Sequence, residues 1–196
     1  DATQGSKEVR PEQSERIKAI VAAAVNSAVR ATDLSPHHAL NWLQRGGTYR
    51  ELIPIMDNAT AFAQSAYTRA GELQPNNPGP ALELGNTYLQ VASVARPLLS
   101  AADAKVKADA QAKFDQALAN ALAQYERAIL LKEDFAQAHF QIAIVYDLQG
   151  KLNEAVAKME SVARYNPRDV GVAFQLGMLY ARRNGEGDLA RAQGAY

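Results

Sequence analysis

Residues 136–167 read AQAHFQIAIVYDLQGKLNEAVAKMESVARYNP. Within them Ile142-Ala143 and Tyr146 are followed by Ala155, Met159, Val162 and Pro167. The next stretch restates the pattern with Leu176-Gly177, Tyr180 and Ala190. Ala143 to Gly177 and Tyr146 to Tyr180 are each 34 residues apart. Recurrence at a fixed period of this size marks stacked supersecondary units, none of which can bury its apolar face alone. Ala190 falls one place late, and Asn184-Gly185-Glu186-Gly187 explains the delay as a turn lengthened by one residue. In each unit the tyrosine follows a small residue by three, so both share one helical face. The small residue admits a partner backbone, and a large side chain interlocks beside it. Pro167 cannot continue a helix and stands where the chain must turn.

The same marks extend towards the N-terminus. Leu84-Gly85 and Tyr88 open a unit whose second helix carries Ala121, Tyr125 and Ala128. Before it come Trp42, Gly46 and Tyr49, then Ala63, Tyr67, Ala70 and Pro75. Ala24, Ala28, Ala31 and Pro36 repeat the second-helix spacing once more. These residues resemble the tetratricopeptide pattern W-x-x-L-G-x-x-Y…A-x-x-x-F…A…P. The resemblance spans nearly the whole chain from about Ala24 onward. It implies an all-α fold of tandem antiparallel helix pairs stacked as a right-handed superhelix, an α-solenoid. The units are residues 1–38 (an N-terminal helix or half repeat), 39–77 (with a short insertion), 78–135 (with a 24-residue insertion and a long second helix), 136–169 (regular) and 170–196 (incomplete).

Departures from the pattern are local. Arg45 replaces the usual Leu, and Ala81, His139 and Ala173 stand where Trp is preferred. Glu133 replaces Pro, which predicts a less sharply broken junction there. Five extra residues separate Tyr49 from Ala63; Pro54 should end the first helix and Asp57 cap the second. Tyr88 and Ala121 are 33 apart, 24 more than usual. Ser100-Ala101-Ala102-Asp103 reads as a capping box. A helix of about 30 residues, roughly 45 Å long, is expected to follow it. The extension is either an elongated hairpin packed on itself or a docking arm for a partner. Helix formers from Leu189 to Tyr196 make only half a second helix. Either the protein continues beyond this segment or the final helix is a short cap, and the need of stacked repeats for a polar terminal face favours continuation.

Composition narrows the function classes. With 21 basic and 21 acidic residues the formal net charge is zero, and no basic block supplies a nucleic-acid face. Cysteine is absent, which removes thiol chemistry and disulfides. No apolar run is long enough to span a membrane. The chain opens on Asp1 without a secretory pattern, as an excised piece of a larger protein would. His37-His38 point to different sides of a helix and His139 is remote, so they read as turn or surface residues and no metal site is expected. Glu51, Asp57, Glu83 and Asp147 recur without acid/base pairing and read as solvated faces. Gly46-Gly47 and Gly185-Glu186-Gly187 lack the strand and lysine of a phosphate loop. The reading is of a non-enzyme, with no catalytic residues, metal or cofactor.

What remains is surface. A second stripe on the first helices runs Leu43, Gly47, Arg50; Leu82, Asn86, Leu89; Phe140, Ile144, Asp147; and Phe174, Met178, Ala181. In the tetratricopeptide family this stripe lines a concave groove that holds peptides. The resemblance therefore implies a peptide-binding groove of Leu43, Gln44, Arg50, Leu82, Asn86, Gln90, Phe140, Gln141, Ile144, Phe174, Gln175, Met178 and Arg182. Chaperone adaptors of this family grip a carboxylate tail with Lys, Arg and Asn. Here Leu82 replaces the clamp lysine and only Asn86 matches, which argues against chaperone tails. A narrower stretch, Asn41-Trp42-Leu43-Gln44-Arg45-Gly46-Gly47-Thr48-Tyr49-Arg50-Glu51-Leu52-Ile53, is similar to the soluble tails of bacterial O-antigen ligase-like membrane proteins. That likeness implies a membrane-tethered appendage whose spans lie outside this chain. The expected partner is a protein or peptide, and the alternative is a self-assembly module.

Overall fold

A computed structural model describes residues 11–165, 167–185 and 187–194. The described residues form helices joined by turns, without a strand. In order these are α1 (Pro11–Leu34), α2 (Ala39–Glu51), α3 (Ala59–Leu73), α4 (Gly79–Ala95), a 3-10 turn (Arg96–Ser100), α5 (Ala104–Leu131), α6 (Ala136–Leu148), α7 (Leu152–Tyr165), α8 (Val170–Arg183) and α9 (Asp188–Gly194). Each helix packs on the next, and the first helices also touch across hairpins, α2 on α4 and α4 on α6. The chain is an α-solenoid, all-α, with three core clusters along its length.

The pairing inside two hairpins turns on a ring laid over a glycine. A Cβ on Gly46 would meet the Tyr67 ring at 2.6 Å, and one on Gly85 would meet Tyr125 at 2.4 Å. Both rings are buried, with Ala63 and Ala70 flanking the first and Ala121 and Ala128 the second, all at 0% exposure. In the third hairpin Ala143 joins Ala155, Met159 and Val162 in one cluster. Turn chemistry then cuts the helices to length. Asp103 and Asp169 cap α5 and α8 by accepting from the backbone N–H groups two and three residues on. Asn184 ends α8 in the left-handed region at φ 48°.

Several expectations change. The cap of α5 is Asp103; Ser100 lies in the 3-10 turn and donates its hydroxyl to the carbonyl of Pro97. The second helix is long as expected, and the rest of the 24 extra residues lengthen the first helix and form the turn between them. α4 runs 17 residues against 13 for α2 and α6, the 3-10 turn follows, and α5 has 28. Val91, Ala92 and Ala95 of the extended α4 share a core with Phe114, Ala117 and Leu118 of α5. The insertion is thus a lengthened hairpin packed on itself. Asp57 does not cap α3; Asn58 occupies that place and makes no side-chain cap. α5 still breaks cleanly at the extended Lys132 without a proline. Ala190 is exposed, and Ala192 is the small residue that α9 buries. Ala24 is exposed because α1 has no preceding helix to pack against among the described residues. His139 is not on the surface but 8% exposed, its Nε2 donating to the carbonyl of Glu133 at 2.8 Å. Residues 1–10, Asn166, Glu186 and the last two residues, on which parts of the terminal units and turns were placed, lie outside the described residues.

Burial holds the packed phenols neutral. Desolvation pushes Tyr67 and Tyr125 well above the usual phenol range. Tyr180 is pushed up to about 12 by burial and then by its hydrogen bond to Glu160, 2.7 Å away. A phenol whose folded pKa is raised contributes stability that is complete below the ordinary value, about 10, and is lost as pH rises through the folded value. Helicity should therefore fall as the phenolate absorbance of these tyrosines appears, both above about pH 10. Full tyrosine ionisation with helicity intact would contradict the packing. The two adjacent glycines of α2 give an independent check. Gly46→Ala, and likewise Gly85→Ala, should lower the free energy of unfolding by about 1–3 kcal/mol through overpacking. At Gly47 an added Cβ meets only the Tyr67 hydroxyl, at 3.7 Å. Gly47→Ala should instead raise stability by roughly 0.5–1 kcal/mol, the helix-interior preference for Ala. Urea titrations of the three variants read both signs.

Candidate peptide-binding groove

The first helices α4, α6 and α8 stand in a row, and their N-terminal halves frame a cavity of about 500 Å³. Leu82, Glu83 and Asn86 line it from α4, Gln137, Phe140 and Gln141 from α6, and Val172, Phe174 and Gln175 from α8. Asp169, at the cap of α8, and Val162 of α7 complete the walls. A shallower hollow of about 450 Å³ adjoins it, lined by Arg50 and Glu51 of α2, by Asn86, Leu89, Gln90 and Ser93 of α4, and by Gln141. Asn86 and Gln141 belong to both, so one groove crosses all four first helices.

The groove's polar groups are partly committed to one another. Arg50 reaches across from α2 to Glu83 of α4 and also lies 3.3 Å from Glu51. Burial alone would lower the Arg50 pKa, but its surroundings, the hydrogen-bonded carboxylates of Glu83 and Glu51 among them, outweigh this and raise the pKa. The Tyr125 hydroxyl, arriving from α5 beneath Gly85, donates to Asn86 Oδ1 at 2.9 Å and fixes that amide. Arg182 of α8 pairs with Asp147 of α6. Among the described residues no cluster of three His, Asp or Glu side chains could hold a metal ion.

The stripe expected from sequence divides three ways. Arg50, Leu82, Asn86, Gln90, Phe140, Gln141, Phe174 and Gln175 come together in the groove. Leu82 is 7% exposed and serves mainly as core, while Phe174 is 49% exposed. Phe140 is half-buried against the α6–α9 core, so its ring has both roles. Ile144, Met178 and Arg182 lie further along α6 and α8, outside the cavity wall, and Arg182 is tied to Asp147 instead of being open to a ligand. Leu43 packs against the core between α2 and α3, and Gln44 is exposed outside both hollows. Sequence reasoning missed Glu83 and Ser93, although Glu83, Asn86, Gln90 and Ser93 follow helical spacing along one face of α4. Asp169 carried its own signal as a capping residue ahead of an apolar helix.

No known family pattern matches the chain, and no curated protein sequence matches it. Solved structures do. A crystal structure of MamA is 16% identical, covers 96% of this chain and 91% of its own, and superposes with a TM-score of 0.61. TTC0263, a thermophilic TPR protein of Thermus thermophilus, is 19% identical with a TM-score of 0.62, covering 96% of this chain and 86% of its own. The first TPR of Spaghetti (RPAP3), solved with the HSP90 peptide SRMEEVD, is 16% identical with a TM-score of 0.54, covering 75% of this chain and 94% of its own. At such identities the likeness is one of architecture, and the architecture is that of a tetratricopeptide-repeat solenoid.

Proposed function

We propose that this chain is a non-catalytic protein-interaction scaffold that seats a peptide or protein segment in the groove across α2, α4, α6 and α8. The observation that carries the reading is the cavity of about 500 Å³ in which aromatic and aliphatic side chains, Phe140, Phe174 and Val172, are ringed by Asn86, Gln141 and Gln175. Concave sites of this size, mostly apolar with a few placed amides, suit an extended segment with one apolar anchor. Side-chain amides both donate and accept, so they match a peptide backbone without requiring a particular sequence. The RPAP3 repeat, solved with a peptide on the same architecture, lends support. Leu82 in place of a clamp lysine directs the reading away from carboxylate tails. The likeness of residues 41–53 to O-antigen ligase-like proteins would make the groove a membrane protein's soluble appendage; among the described residues no helix is long and apolar enough to cross a membrane.

Self-assembly is the second reading, favoured by Val170, Met178 and Leu189, exposed at 81%, 43% and 70% near the C-terminal end of the row. One variant separates the two. A random peptide library selected on the chain should yield binders whose affinity drops by about 1–3 kcal/mol in Phe174→Ala, the range for an aromatic anchor. Because the ring is half exposed, the denaturation midpoint should change little. Loss of stability with unchanged affinity of the folded fraction would refute the groove. Particle size that grows with concentration, and does so no longer in Phe174→Ala, would replace the peptide by a second copy.

A further inference from the structure

We infer that the segment seated in this groove carries a basic side chain beside its apolar anchor. The inference rests on the groove being the binding site and adds the charge of the occupant. Among the described lining residues Arg50 is the one cation, against the carboxylates of Glu51, Glu83 and Asp169. Arg50 lies between Glu51 and Glu83 and can neutralise only one of them. Asp169 has one oxygen, Oδ1, on the N–H groups of Gly171 and Val172, at 2.9 and 3.1 Å. The helix termini oppose this excess but do not cancel it. The N-termini of α4, α6 and α8, at Leu82, Gln137 and Asp169, are each worth roughly half a positive charge confined to the first turn, and the C-terminus of α2, at Arg50 and Glu51, roughly half a negative one. Two surplus carboxylates against that leave about one negative unit on the walls. The Asp147–Arg182 pair adds nothing, being neutral within itself. Arg168, next to Asp169 in sequence, is exposed and outside the wall.

A lysine or arginine fits both parts of this surface at once. Its methylene stem can cover the Phe140 and Phe174 rings while its head reaches a carboxylate, and a cation over an aromatic face is itself favourable. An acidic segment would meet like charge, which penalises the wrong partner more than it strengthens the right one.

The test is the composition of peptides selected from a random library on the full chain, with counter-selection on Phe174→Ala. Lys or Arg next to an apolar residue should be enriched over Asp and Glu. The affinity of a selected peptide should fall as salt is raised. It should fall about two- to fivefold in Asp169→Asn, the scale of a solvent-exposed ion pair. Asparagine caps a helix as well as aspartate does, so α8 keeps its N-terminus and only the charge is removed. Binders that need Phe174 but are acidic or uncharged, or whose affinity ignores both salt and Asp169→Asn, would overturn this inference and leave the groove standing. Failure to select any peptide that depends on Phe174 would overturn the groove reading itself.

Discussion

The structure depends on two tyrosine rings lying where a side chain on the facing helix would have to be. With Gly46 and Gly85 reduced to backbone, Tyr67 and Tyr125 cross the hairpin and fill the gap between its helices. Close packing of this kind is intolerant of even one added carbon, so the spacing within each of these two hairpins is set by its own ring and glycine. The crossing also couples core to surface. The Tyr125 hydroxyl emerges beneath Gly85 to hold Asn86, so an amide of the groove is oriented by the core of its own hairpin. A polar group buried this way must keep a partner, and here the partner is a side chain that lines the groove.

The two insertions meet in space. Ile53, in the lengthened turn after α2, packs against the cluster formed by α4 and α5. A second hollow of about 300 Å³ separates that turn from Val91 and Val94 of α4 and Lys113 of α5. The extra turn of α4 carries Ser93 along the same wall as Asn86 and Gln90, beyond what a repeat of ordinary length would offer. Lengthening the middle hairpin thus extends the groove lengthwise without disturbing the repeat on either side, because each unit touches chiefly its neighbours.

The fold was legible in the sequence because its determinants are local and periodic. Glycine, tyrosine and alanine at set spacing report the hairpins directly, and the long helix expected after residue 103 coincides with α5. Caps were harder. Ser100 and Asp103 sit three apart and either could start a helix; the choice fell to Asp103 because the extended α4 draws residues 96–100 into a 3-10 turn. The site was half legible. Helical spacing found the stripe, but spacing cannot distinguish Leu82, pressed into the core, from Phe174, left half open on a helix further along the stack. Nor could it foresee that Arg50 and Arg182 would be taken up by Glu83 and Asp147 on neighbouring helices. Those pairs are non-local, 33 and 35 residues apart, and follow from how the hairpins are set against one another.

These two ion pairs also divide the row into joints of two kinds. Arg50–Glu83 ties α2 to α4, and Asp147–Arg182 ties α6 to α8, while among the described residues no ion pair joins α4 to α6. A half-exposed pair contributes at most about 1 kcal/mol, so each acts as a light strut, stiff enough to set an angle and weak enough to be strained. The α4–α6 joint is held instead by apolar packing, Leu82 of α4 sharing a core with Ala138, Ile142 and Val145 of α6. The larger cavity spans that joint. Its width is therefore set by apolar contact, which is non-directional, whereas a charged strut holds the helices on either side.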